Sequence, residues 1–83
     1  MYIEVKSTTA EDPFESFEIS HAELMWALKH RSRYFIFRVT NTHLDAPSIA
    51  RFQDPITLVR DGAADLRLSG ARLAFQAAAA HSV

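Results

Sequence analysis

The sequence predicts an α/β domain in the order strand, helix, strand, short helix, hairpin. Three observations carry this. Residues 2–8, YIEVKST, alternate with the period of a strand. Ser20 opens a helix with a capping-box pattern. Residues 34–40, YFIFRVT, are nearly all apolar and rich in β-formers, which suggests a strand covered on both faces, as is usual in α/β sheets.

In the first strand Ile3 and Val5 project to one side, and Tyr2, Glu4 and Lys6 to the other, which describes a strand with one buried face. Residues 9–16, TAEDPFES, combine turn formers with Glu11, Asp12 and Glu15 and read as a loop. FEIS, 17–20, is a short extended piece. Ser20 then serves as N-cap with Glu23 at the third helical position, and Ile19 and Leu24 fit a hydrophobic staple. The helix runs to about Arg31, with Leu24, Met25 and Leu28 as its apolar stripe and Lys29, His30 and Arg31 where the helix dipole favours cations.

Arg38 alone interrupts the second strand. It is expected to pair with a carboxylate, of which Glu4 is one candidate, or to reach the sheet edge. Residues 41–53 read as irregular. Asp54 and Pro55 start a helix over 55–61, and Gly62 stops it. DLRL, 65–68, and ARLAF, 71–75, flank Ser69-Gly70, a two-residue hairpin turn. The tail AAAAHSV is expected to fray, so the domain spans 1–76 and a flexible tail 77–83. The strand-helix-strand unit should be a right-handed crossover with parallel strands. The first strand then needs a further neighbour, which the hairpin supplies only in part.

At 83 residues the chain is one domain. It is 48% hydrophobic and 23% charged, an ordinary globular composition. The net charge of −1 creates no global field toward nucleic acid or an anionic membrane, so any such contact needs a local patch. With no cysteine, disulfides, thiolate zinc sites and cysteine nucleophiles are excluded. No apolar run reaches the ~18 residues of a membrane span, and residues 1–20 lack a signal-peptide pattern, so a cytoplasmic location is the expectation.

Glu4 and Lys6 are the first candidates for chemistry. On one strand face, a carboxylate can bind a hard cation such as Mg²⁺, and a neighbouring ammonium can orient a metal-bound water or stabilise charge on a phosphate. An ordinary solvated face of alternating charge gives the same spacing. Lys29, Arg31 and Arg33, with His30, form a basic cluster that could touch nucleic-acid phosphates; helix-end charge complementarity explains it equally. His21-Ala22-Glu23 matches the H-x-E of zinc deaminases, which the lack of cysteine excludes. His43 and His81 have no partners at metal-ligand spacing, and no phosphate-binding glycine loop or nucleophile elbow is present.

YIEVKSTT, PFESFEIS, the helix HAELMWAL and YFIFRV, with Asp54-Pro55 and the terminal hairpin after them, resemble the domain at the C-terminus of the plant NO VEIN protein. That family is widespread in bacteria and largely uncharacterised. The resemblance covers roughly residues 2–75. The family is in turn similar to restriction-endonuclease-like PD-(D/E)XK domains, whose E-x-K strand maps onto Glu4 as metal ligand and Lys6 as catalytic lysine. The resemblance implies a Mg²⁺-dependent nuclease-like domain acting on nucleic-acid phosphodiesters. In these folds the following helix often adds a site residue, here Glu23, although the capping box accounts for Glu23 by itself. Such nucleases also use an upstream helix and an acid-bearing strand. Met1 falls where the E-x-K strand begins, so the expectation is a partial, N-terminally truncated core that is inactive alone. The alternative is a non-catalytic protein-interaction module of a DNA-processing or defence system, docking a partner such as a helicase-like ATPase.

Overall fold

The structure is a computed structural model and describes residues 1–67, 72–77 and 80. The chain order is β1 (Tyr2–Ser7), β2 (Phe17–Glu18), α1 (His21–His30), a 3₁₀ turn (Arg31–Arg33), β3 (Tyr34–Thr40), β4 (Ser48–Gln53), α2 (Pro55–Arg60), β5 (Ala64–Arg67) and β6 (Arg72–Phe75). The fold is mixed α/β with two three-stranded sheets, ordered β1-β3-β4 and β2-β6-β5.

In the first sheet β1 runs parallel to β3, as the crossover predicts, with Glu4 beside Ile36 and Lys6 beside Arg38. β4 pairs antiparallel with β3 on the other side. This strand lies inside the segment 41–53 that read as irregular. Its apolar residues Ile49, Ala50 and Phe52 are broken by Arg51, which obscures the alternation. The C-terminal hairpin does not join β1. It pairs with β2 in the second sheet, Leu73 beside Phe17, so β1 remains an edge strand. The expected turn at Ser69-Gly70 and most of the tail lie outside the described residues.

Both helix starts form as their caps dictate. Glu23 N–H donates to Ser20 Oγ at 3.1 Å, and Ser20 N–H donates to Glu23 Oε1 at 2.8 Å. Asp54 caps α2 by accepting from the Thr57 N–H at 3.1 Å and the Thr57 hydroxyl at 2.7 Å. Gly62, at φ 79°, closes α2 in a conformation that glycine adopts without strain.

The core lies between the two sheets. Phe17, Ile19, Ala27, Tyr34, Ile36, Phe52, Ala64, Leu73 and Phe75 are buried, and Phe52 stacks on Phe75 at 4.0 Å between ring centres. Two expectations are corrected here. The buried residues of α1 are Ala27 and His30, while Met25 and Leu28 are 42% and 45% exposed. The helix lies across the edge of a small core and offers it only one narrow line of contact.

The first sheet is covered on one face, not two. Tyr34, Ile36, Arg38 and Thr40 are buried, whereas Phe35, Phe37 and Val39 are half-buried on the opposite face. Ile3 (44% exposed), Val5 (56%) and Ile49 (47%) lie on that outer face. The polarity of β1 is therefore the reverse of the usual one: its charged residues face inward beneath α1, and its aliphatic residues face out.

Candidate functional site

Strand alternation places Glu4 and Lys6 on the inner face of β1, where the first turn of α1 approaches. The Ser20 cap fixes that turn and with it the Glu23 side chain. Lys6 Nζ donates to Glu23 Oε1 and Oε2, both at 2.9 Å. It also lies 3.8 Å from Glu4 Oε1. Glu23 thus has two duties: it closes the capping box and holds the β1 lysine. The cap and the ion pair are compatible because Ser20 N–H and Lys6 Nζ share Oε1, while Oε2 also accepts from Lys6 Nζ.

The two carboxyls meet at Lys6 Nζ, and their environments separate them electrostatically. The bond to Glu23 raises Glu4 above the usual carboxylate value of 4.5; burial and the Glu23 charge push the same way, against a smaller pull from Lys6. Burial also pushes Glu23 upward, but hydrogen bonds from Glu4, the Ser20 amide and Lys6, with the lysine charge, outweigh it and hold Glu23 at about 2. Glu4 therefore takes up a proton more readily than Glu23, which stays ionised beside the ammonium. Tyr34 lies beneath. Burial and the charges of Glu4 and Glu23 push its phenol up to about 12, so it stays protonated. An open depression lined by Glu4, Ala22, Glu23, Trp26 and Tyr34 gives solvent access to these groups.

The donor chemistry fits a hard divalent cation in part. Glu4 and Glu23 offer carboxylate oxygens, but among the described residues no group of three or more His, Cys, Asp or Glu could hold a metal. A Mg²⁺ held by two carboxylates keeps most of its waters.

Arg38 does not pair with Glu4. It is 4% exposed, donates through Nη1 to the Lys6 carbonyl at 3.0 Å and stacks over Phe17 at 5.0 Å. Burial lowers its pKa, and the Glu15 charge opposes this at longer range. The basic cluster is dispersed. Arg31 binds Asp54 (3.3 Å) and the Thr57 hydroxyl (2.9 Å), tying the end of α1 to α2. Lys29 stands over the Trp26 ring at 5.2 Å, and Arg33 is exposed. The sequence offered Glu23 as a cap and, through the resemblance, as a site residue on the following helix, and left Tyr34 as a strand residue. Apart from that resemblance, the signal that joins them to Glu4 and Lys6 is the strand-helix-strand crossover, which lays α1 over both strands.

No curated protein and no solved structure matches the chain. A comparison with family models matches residues 1–52, from β1 through most of β4, to the family described as Protein NO VEIN, C-terminal. The match contains Glu4, Lys6, Glu23 and Tyr34, and it covers well over half of the sequence, so the chain belongs to the NO VEIN C-terminal family.

Proposed function

We propose that this domain is the E-x-K-bearing part of a restriction-endonuclease-like core that acts on nucleic-acid phosphodiesters with a divalent cation. The observation that supports the reading is the convergence of Glu4 and Glu23 on Lys6 Nζ beside an open depression. Glu4 and Glu23 would hold Mg²⁺, which supplies polarisation of a phosphoryl oxygen and acidification of water. The chain's own contribution is positional. Lys6 places a fixed positive charge where charge builds on the phosphate, Glu23 orients that ammonium, and Ser20 orients Glu23. Two carboxylates are a half-site, so a single copy is inactive until a further acid is brought to β1.

The test is cleavage of mixed single- and double-stranded DNA in Mg²⁺ or Mn²⁺. The monomeric chain is expected to cut no faster than its Lys6→Ala variant. Fusing an acid-bearing helix–strand segment from a longer family member ahead of Met1 is expected to raise cleavage, and Lys6→Ala should remove the gain. Cleavage by the monomer, or a gain that survives Lys6→Ala, contradicts the reading.

A second reading, a non-catalytic interaction module, is favoured by a different observation. The outer face of the first sheet exposes Ile3, Val5 and Ile49 around Phe35 and Phe37. Parallel strands usually have both faces covered. A pull-down that loses its partner with Phe37→Asp but not with Lys6→Ala would support this module over the nuclease half-site.

A further inference from the structure

We propose that a second copy of this chain pairs antiparallel with the free edge of β1, about a two-fold axis at Val5, and contributes its Glu4 and Lys6 to the site. The inference rests on the reading of Glu4, Lys6 and Glu23 as a cation-binding half-site.

The edge is open, and the hydrogen bonds to β3 fix which of its backbone groups face outward. Among the described residues, β1 pairs only with β3. Thr8 N–H donates to the Val39 carbonyl at 2.9 Å, so alternation directs the backbone groups of even-numbered β1 residues at β3. The N–H and C=O groups of Ile3, Val5 and Ser7 then point to the open edge. Antiparallel strands alternate hydrogen-bonded with non-hydrogen-bonded pairs. With Val5 on the axis, Val5 faces Val5 of the second copy and Ile3 faces its Ser7, both as hydrogen-bonded pairs. Glu4 faces Lys6 of the second copy in the closer, non-hydrogen-bonded position.

Charge selects this partner. A lone lysine on an edge strand repels its own copy, a device that blunts edges. Glu4, two residues earlier on the same face, turns that repulsion into two Glu–Lys pairs, so the E-x-K strand is complementary to itself when reversed. β4, the other edge of this sheet, has Arg51 and no acid, and has no such complement. Tyr2 (39% exposed) and Trp26 (44% exposed), in edge contact at 5.6 Å, stand on the same face beside β1 and would become covered at the seam.

The pairing supplies what one copy lacks. Diagonal neighbours across such a pair lie roughly 7–8 Å apart, within reach of long side chains. Glu4 of each copy therefore approaches the Glu4–Glu23 pair of the other. Four carboxylates then face one cation in place of two.

The experiment measures mass by light scattering and binding of Mn²⁺ alone, for the intact chain and for Val5→Lys. Val5 is 56% exposed, so the lysine leaves the fold intact, which a thermal melt checks, but sets like charges on the axis. The expected result is a wild-type dimer binding one Mn²⁺ per two chains, and a Val5→Lys monomer whose Mn²⁺ affinity falls by at least about tenfold. Because the chain has no cysteine, Val5→Cys with a short bis-maleimide cross-linker should give a covalent dimer, and Ile49→Cys should not. A monomeric wild type, or a Val5→Lys dimer, overturns the pairing. A Val5→Lys monomer that binds Mn²⁺ as tightly as wild type overturns the contribution of the second copy and leaves the cation reading standing. A wild-type dimer that Val5→Lys dissociates but that binds no Mn²⁺ upholds the pairing and removes the cation reading.

Discussion

Lys6 Nζ lies 2.9 Å from both carboxylate oxygens of Glu23, across the gap between an edge strand and the first turn of a helix seventeen residues later. One oxygen of that carboxylate also accepts from the Ser20 N–H at 2.8 Å. The helix cap and the candidate site are therefore one hydrogen-bonded unit, and a change at either end should be felt at the other.

Ser20→Ala removes the hydroxyl that accepts from Glu23 N–H. Loss of such a cap is expected to destabilise the domain by about 0.5–2 kcal/mol. A urea melt checks this. An unchanged midpoint would show that the Glu23–Lys6 pair alone holds the start of α1.

Stability should depend on acid through Glu23. Its folded value of about 2 lies below the ordinary 4.5, so the unfolded chain binds the proton more readily. The contribution is fully present above 4.5 and is lost as pH falls from there toward 2. Glu4, raised in the fold, works in the opposite sense. Urea melts at descending pH should show Glu23→Gln losing less stability than wild type in acid; parallel profiles would contradict the assignment.

His30 adds a second pH dependence at higher pH. Both ring nitrogens are buried without a hydrogen-bond partner among the described residues, and the ring stacks on Tyr2 at 3.9 Å between centres. Burial, with the charges of Lys29, Arg33 and the N-terminus, lowers its pKa below 6.5. The fold keeps His30 neutral, so stability is present above 6.5 and falls as pH descends from there to the lowered folded value. Thermal melts between pH 8 and 5, taken as about these limits around the ordinary histidine value, should show a loss for wild type that His30→Phe does not share.

Two isoleucines on neighbouring strands test which face of the first sheet is covered. Ile36 is fully buried, and Ile36→Ala is expected to cost about 2–5 kcal/mol. Ile49 lies on the outer face at 47% exposure, and Ile49→Ala should change stability by only about 0.5 kcal/mol. Equal losses in chemical denaturation would mean that the outer face is covered.

Local signals were legible in the sequence where they are chemically self-contained. Ser20 with Glu23, Asp54 with Pro55, and the alternation of Tyr2 to Lys6 each specify a cap or a strand by nearby bonds. The strands of the hairpin were legible for the same reason. Non-local facts were not. Nothing in SIARFQ says that it pairs with β3, because Arg51 at a sheet face is stabilised by a ring that only the fold provides, Phe37 at 5.1 Å. Ile3 and Val5 looked like core residues; placing Glu4 and Lys6 inward follows from the α1 carboxylate that meets them. For the same reason the site was half visible. Glu4 and Lys6 share a strand, while Glu23 reaches them only through the crossover.

The most direct test of the carboxylate pair is a carboxyl-carbon NMR titration of Glu4 and Glu23, with and without Mg²⁺. The predicted result is a Glu23 midpoint of about 2 and a Glu4 midpoint above 4.5, with Mg²⁺ lowering the Glu4 midpoint as the cation competes with its proton. Two glutamates that titrate independently at 4.5, or a Glu4 midpoint that Mg²⁺ leaves unmoved, would contradict the account.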